Sequence, residues 1–483
     1  MAENRLKDTQ GMESPGSGDL QFRDIPPVDR ILTSINHHGV PRPIVTHFVR
    51  QYLEEIRSNL KNAEQAAPKA FPSDSSAIMS EVENRIAKLA RTRLRTVING
   101  TGVILHTNQG RAPIHPDVMQ HIAEIGTTYS TLEMDITTGK RGRRGAYAEQ
   151  LLAGLCGAEA ATIVNNCAAA LVLILKQLCG RPEANEVLIS RSELVQIGGG
   201  FRIPDILMTS GATLREVGTT NHTTIKDYQS AISPASAIIL KVHQSNFYMD
   251  GFVENPTTQA LAELARTHKI PLVFDLGSGA VTDTSQWDGA DHEVTPAEVI
   301  SNGADLVCFS GDKLFGGPQA GIIAGKNELV SALKKNQFFR CLRADKLVIA
   351  GLEWAASAWL TDPSKGHSAS RAAGLCALTT QDLTARAEAI AQQFSSHRLK
   401  VSIVTTSSKM GGGTMPRAVL PSVGLSIQYP GLTPDGLTQK LLEATPLPVV
   451  AHIENDQVII DLRTVFPDQD EALTEALMHT ESS

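Results

Sequence analysis

Apolar residues return at helical spacing along IVTHFVRQYLEEIRSNL, through Ile44, Phe48, Val49, Tyr52, Leu53 and Ile56, so this stretch predicts an amphipathic helix. SINHHGVPRP ahead of it reads as a helix end and turn, and AAPKAFPSDSS behind it as a linker. A second helix is expected from about Ser76 to Leu94. Residues 1–24 show no period and read as a flexible tail, leaving 25–75 as a small helical domain.

Beyond this the texture changes. VINGTGVILHTNQGRAP holds a strand-like VILHT between glycines that permit close turns. Helical segments then alternate with short β-branched runs: EQLLAGLCG, ATIVNN, AAALVLILKQL, EVLIS, ASAIILKVH, TTQALAELARTH, IPLVFDLG and ADLVCFSGDK. That order predicts an α/β fold with a mostly parallel central sheet covered by helices, over residues 76–368. Asn255 and Pro256 are expected to cap the helix of TTQALAELARTH, and Pro271 to open the next strand. Residues 369–483 read as a smaller C-terminal α+β domain: a helix from Thr380 to Phe394, strands KVSIVTTSS and QVIIDLRTV, and a last helix from Asp468 to His479. Gly411, Gly412 and Gly413 form a tight loop that either faces the large domain or merely connects.

With 483 residues, one large and at least one smaller domain are expected, and 42% apolar with 20% charged residues is ordinary for a soluble globular chain. No apolar run approaches the roughly 20 residues that span a bilayer, and MAENRLKDTQ has no secretory signature, so no membrane partner and a cytoplasmic location are expected. The formal charge of -7 argues against non-specific coating of nucleic acid, and no DNA partner is expected. Two basic runs stand out locally, Arg85 to Arg95 and Lys140 to Arg144. The six cysteines form no CxxC or CxxH pair, which reads as free thiols, and no metal site is expected.

FSGDKLFGGPQAG is the strongest local feature. A strand ending at Phe309 feeds Ser310, Gly311, Asp312 and Lys313 into a glycine-rich turn, placing an amine at the sheet edge where its protonation can be tuned. Asp275, at the end of IPLVFD, would by itself suit a metal or a helix cap equally well. Joined to Lys313 it suits pyridoxal 5'-phosphate, because a carboxylate holds the pyridine nitrogen protonated and lets the ring accept electrons. Asn166, Cys167 and Ala168 open a helix after a strand, where backbone donors receive a phosphate and Ser310 adds a hydroxyl. A turn selected only for packing is the plainer reading of that segment.

Longer motifs run through most of residues 25–465: NGTGVILHTNQGRAP, GKRGRRG, GLCGAEAATIVNN, SRSELVQIGGGFRIPDI, REVGTTN, KVHQSNF, FDLGSG, FSGDKLFGGPQAGII, FFRCLRADK and GGGTMP. In these the chain resembles the bacterial L-seryl-tRNA(Sec) selenium transferases, the selenocysteine synthases. The resemblance implies a fold-type-I pyridoxal-phosphate enzyme with Lys313 as the Schiff-base lysine and Asp275 beneath the pyridine nitrogen. It implies conversion of seryl-tRNA(Sec) to selenocysteinyl-tRNA(Sec) through a cofactor-bound aminoacrylyl intermediate, with selenophosphate as selenium donor. It assigns the donor pocket to Arg111, Arg144, Thr219, Thr220, Asp312, Arg340 and Arg343, partly contributed by a neighbouring subunit of a homo-oligomer, a pentamer of dimers. Residues 25–75 resemble the family's tRNA-recognition domain.

Four positions depart from the family pattern. Cys167 stands for asparagine, Tyr147 for histidine, His222 for arginine and Tyr248 for arginine, with consequences expected for ring contacts or donor binding. Cys167 reads better as a small residue tolerated in the phosphate turn than as a selenium-handling thiol. The nearest rival function is a related lyase acting on a small amino acid; a non-catalytic RNA-binding protein is the more distant one.

Overall fold

The computed structural model describes residues 22–62, 74–361 and 369–482. The tail at 1–21 and most of the linker lie outside the described residues. The chain divides into two compact units, one ending at Thr96 and one beginning at Val97.

The first unit is built from helices Val28–Ser34, Arg42–Asn62 and Ser75–Arg91. Val45, Val49, Leu53 and Ile56 on one helix and Ile78, Val82 and Ile86 on the next share its core, as their spacing on single faces requires. The helix Ser75–Arg91 therefore belongs to this unit, and the boundary falls after Thr96 rather than at residue 75 as the composition shift implied. Its Asp74 cap accepts from Ala77 N at 2.9 Å. Arg85, the first of the basic run, is engaged inside the unit by Glu81 and Glu55 and lies 4.1 Å from the Tyr52 ring centroid.

The second unit centres on a seven-stranded sheet in the spatial order Ala160–Val164, Gly321–Gly325, Leu306–Ser310, Leu272–Gly277, Ser236–Val242, Glu186–Ser190 and Thr213–Val217. Gly321–Gly325 is antiparallel to both neighbours; the other pairings are parallel. Leu272–Leu276 and Leu306–Ser310 are buried throughout, which explains why they read as unbroken apolar runs rather than alternating ones. Helices fill both faces, with Leu152, Leu261, Val299 and Trp359 in one core and Leu171, Ile174 and Leu207 in the other.

A four-stranded antiparallel sheet, Lys400–Lys409, Val419–Gln428, Gln457–Asp461 and His452–Glu454, makes the C-terminal layer. Helices Thr380–Gln392, Pro434–Leu442 and Asp470–Ser482 cover it through Leu383, Leu437, Leu441, Leu473 and Leu477. Two pieces cross between the layers. Ile98–Asn99 pairs with Val449–Val450, and the helix Arg371–Ala377 packs in the core of the large sheet.

Two local expectations are corrected. In VILHT only Val103 makes a β-bridge, to Lys409, and Thr107–Gln109 turns into a 3-10 helix. Thr257, not Asn255, caps the helix Thr258–His268 by accepting from Ala260 N; Asn255 instead accepts from Ser192 Oγ at 2.9 Å. No described helix is long and apolar enough to cross a membrane.

Candidate active site

The parallel strands end on a common edge, and a cavity of about 300 Å³ opens there. Asp275 comes from the end of one strand and His243 follows the end of its neighbour, with His243 N donating to Asp275 O at 2.9 Å. Ser310 closes the next strand, and the chain turns through Asp312 and Lys313. Asn166 and Cys167 begin the helix Cys167–Leu178, where Asn166 Oδ1 accepts from Ala169 N. Thus Lys313, Asp275, Asn166, Cys167, Ala168, Ser310, Asp312 and Arg111 line one cavity.

Lys313 is buried, and its Nζ lies 3.5 Å from Gly413 O. Burial, with Arg111 adding to it, pushes this amine below the ordinary lysine range against the pull of Asp275 and Asp312. Burial likewise pushes Asp275 up; Cys167, Lys313, Cys308 and His243 draw it back. Glycines form the floor beside the amine: a Cβ on Gly277, whose φ of 69° favours glycine, would stand in ordinary contact 3.9 Å from Lys313 Nζ, and one on Gly413 3.8 Å. The glycine loop of the C-terminal layer therefore faces the large domain. Amine, carboxylate, helix start and open floor fit pyridoxal phosphate, whose planar ring needs all four.

Arg111 donates to Asp312 Oδ2 at 2.8 Å while its own backbone sits at φ 64°, a left-handed conformation costly for a residue with a side chain. A second cavity, of about 350 Å³, holds Arg144, Arg340 and Arg343 together with Arg141, Arg143 and Lys334. Glu133 is shared there by Arg144, at 3.0 Å, and by Arg343 and Arg141. The hydrogen bond from Arg144, supported by Arg343 and Arg141, holds Glu133 below the usual carboxylate range. Lys334 grips the buried Glu149 at 2.6 Å. Thr219 and Thr220 are exposed in a loop and line neither cavity; Thr219 donates to His222 O through its amide, at 3.0 Å, and its hydroxyl. The seven residues assigned to a donor pocket are therefore spread over three places in one chain.

Two residues next to Asp275 carry no functional signal of their own in the sequence. His243 meets the buried Glu293 at 3.0 Å and lines the cavity beside Asp275. Cys308 lies in register with Asp275 on the adjacent strand, 3.7 Å from its Oδ1. Among the departures, His222 pairs with Glu254 at 2.9 Å and stacks on Phe252, while Tyr248 lies under Arg417.

A mostly parallel seven-stranded sheet, a C-terminal antiparallel layer and a buried lysine at the strand ends define the fold-type-I pyridoxal-phosphate class. The fold is similar to that of D-glucosaminate-6-phosphate ammonia-lyase, with a TM-score of 0.55 at 21% identity, covering 82% of this chain and 97% of that one. Residues 97–466 match the family model of L-seryl-tRNA selenium transferase. The L-seryl-tRNA(Sec) selenium transferase of Aquifex aeolicus is 40% identical over 451 residues, 92% of this chain and 95% of that protein. The one from Moorella thermoacetica is 39% identical over 463 residues, 95% and 96% of the two chains. The chain belongs to the L-seryl-tRNA selenium transferase family.

Proposed function

We propose that this chain converts L-seryl-tRNA(Sec) to L-selenocysteinyl-tRNA(Sec), with pyridoxal phosphate as cofactor and selenophosphate as selenium donor, in the cytoplasm. The observation that carries the reading is the buried Lys313 amine facing Asp275 across a cavity floored by glycine, in a chain of this family. Pyridoxal phosphate, when bound, supplies an electron sink for the pair left behind when the seryl α-proton departs.

The chain's own residues do the rest. Asp275 holds a proton at the ring nitrogen, and the Asn166–Ala168 helix start with Ser310 receives the phosphate. Lys313 would hold the cofactor and is the amine placed to move the α-proton; burial shifts it toward the neutral form that this needs. Arg111, held by Asp312, brings positive charge to the same cavity. Arg144 and Arg343, with Arg340 beside them, share one Glu133; a phosphate-like donor satisfies the same forks better than a single carboxylate, and competes for them. Thr219 and Thr220 add hydroxyls, and a homo-oligomer, a pentamer of dimers, brings the three groups together. The N-terminal helical unit recognises the tRNA.

The test is conversion of purified seryl-tRNA(Sec) by the purified chain with pyridoxal phosphate and selenophosphate, the esterified amino acid being read by mass spectrometry. Selenocysteine on the tRNA is the expected product. Unchanged serine from folded, cofactor-loaded protein that eliminates water from free serine would replace this reading with a small-amino-acid lyase.

A further inference from the structure

Asp275 is the carboxylate on which the cofactor reading depends, and burial pushes it up, against its charged form. A neutral acid there would no longer hold a positive charge on the ring. Two thiols address the same oxygen: Cys167 Sγ lies 3.6 Å and Cys308 Sγ 3.7 Å from Asp275 Oδ1. The three atoms fall within 4.8 Å of one another. They come from separate elements, since Cys308 is the in-register neighbour of Asp275 on the next strand and Cys167 is the first residue of the phosphate-facing helix.

We propose that Cys167 and Cys308 are positioning residues for Asp275: their S–H groups donate to Oδ1, keep the carboxylate ionised, and leave Oδ2 to the cofactor. This rests on the cofactor reading above. Cys308 is fully buried, and the Cys167 sulfur, burial and the Asp275 charge together push its thiol well above the ordinary range, so it stays a protonated donor. A thiol suits the place because it packs as a small apolar group in the core that also holds Leu306 and Ile323, on the face of the sheet opposite Val307 and Phe309, yet retains a weak donor. The same position filled by a hydroxyl would bury a more strongly hydrated group. At residue 167 the resembled family carries asparagine, whose amide is also a donor, so the departure changes the residue type and keeps the chemistry.

The full-length chain is titrated with pyridoxal phosphate, reading both affinity and the pH dependence of the visible band of the lysine-linked cofactor. Donor-free variants, Cys167→Ala and Cys308→Ala, are compared with donor-keeping ones, Cys167→Ser, Cys167→Asn and Cys308→Ser. The double donor-free variant is expected to bind about tenfold more weakly, and the donor-keeping variants within about twofold of the parent. The band's pH midpoint should move only when the donor is lost. If Cys308→Ala fails to fold, Cys167→Ala alone carries the test, with a loss of roughly threefold. Equal binding and equal midpoints across all variants overturn the proposal, as do donor-keeping variants that lose as much as donor-free ones, because packing would then be the whole effect. A parent chain that takes up no pyridoxal phosphate overturns the cofactor reading itself; a parent that binds normally beside indifferent variants overturns only the role of the thiols.

Discussion

At Lys313 two requirements meet in one side chain. In the proposed function the amine must capture a cofactor aldehyde, which only the neutral form does, and it must afterwards carry a proton. An exposed lysine at neutral pH satisfies the second and rarely the first. Burial, seconded by Arg111, shifts Lys313 toward the neutral form, and Asp275 and Asp312 limit how far. The sign of the pH effect follows. Uptake of pyridoxal phosphate rises with pH through the depressed pKa and is flat above it, because the amine is then already neutral. Stopped-flow absorbance should show that plateau beginning below pH 10.5, the ordinary lysine value. Uptake that keeps climbing to 10.5 would mean an unperturbed amine, and Lys313→Arg should give no visible band at any pH.

The elements around that lysine explain what sequence reveals and what it hides. FSGDKLFGGPQAG announces a strand running into a glycine turn because both signals are local, and the structure places Lys313 in that turn. The partner of Asp275 on the next strand is not local: it depends on register between strands, which is why Cys308 carried no signal. The helix after the linker shows its apolar stripe plainly, but a stripe does not say which core it enters, and the first unit claimed it. VILHT has the residues of a strand, yet the chain already turns at Ile104 and Leu105, directly after the one bridge at Val103. The turn itself makes a sharp prediction. Gly316 sits at φ 76°, and a Cβ there would lie 2.2 Å from Oγ of the buried Ser370, which caps the helix Arg371–Ala377. Gly316→Ala must shift a helix cap as well as adopt a strained backbone, costing roughly 2–4 kcal/mol. Calorimetry should show the midpoint of the cofactor-free protein lowered by several degrees, with weaker cofactor retention. An unchanged midpoint would mean that the turn and cap are far softer than drawn.

For the whole molecule, the decisive fact is that the groups assigned to one reaction occupy separate places in one chain. Arg111, Asp312 and Lys313 line the cofactor cavity, while Arg144, Arg340 and Arg343 line another with Glu133. Five guanidiniums and Lys334 around two carboxylates leave an excess of positive charge that holding a turn does not require; as an anion site lent to a second copy they have a use. That reading predicts complementation. Lys313→Ala and Arg343→Ala proteins should each be inactive alone, the first lacking the cofactor lysine and the second the donor site. When they are unfolded and reassembled together, half of the pairs are mixed, and each mixed pair holds one site with both defects and one with neither. About a quarter of the parent activity should therefore return if the arginines serve the neighbour's cofactor. If they serve their own, every site carries one defect and no activity returns. The selenocysteinyl-tRNA assay separates the two outcomes directly, and cofactor absorbance of the Arg343→Ala chain checks that its lysine site is intact throughout.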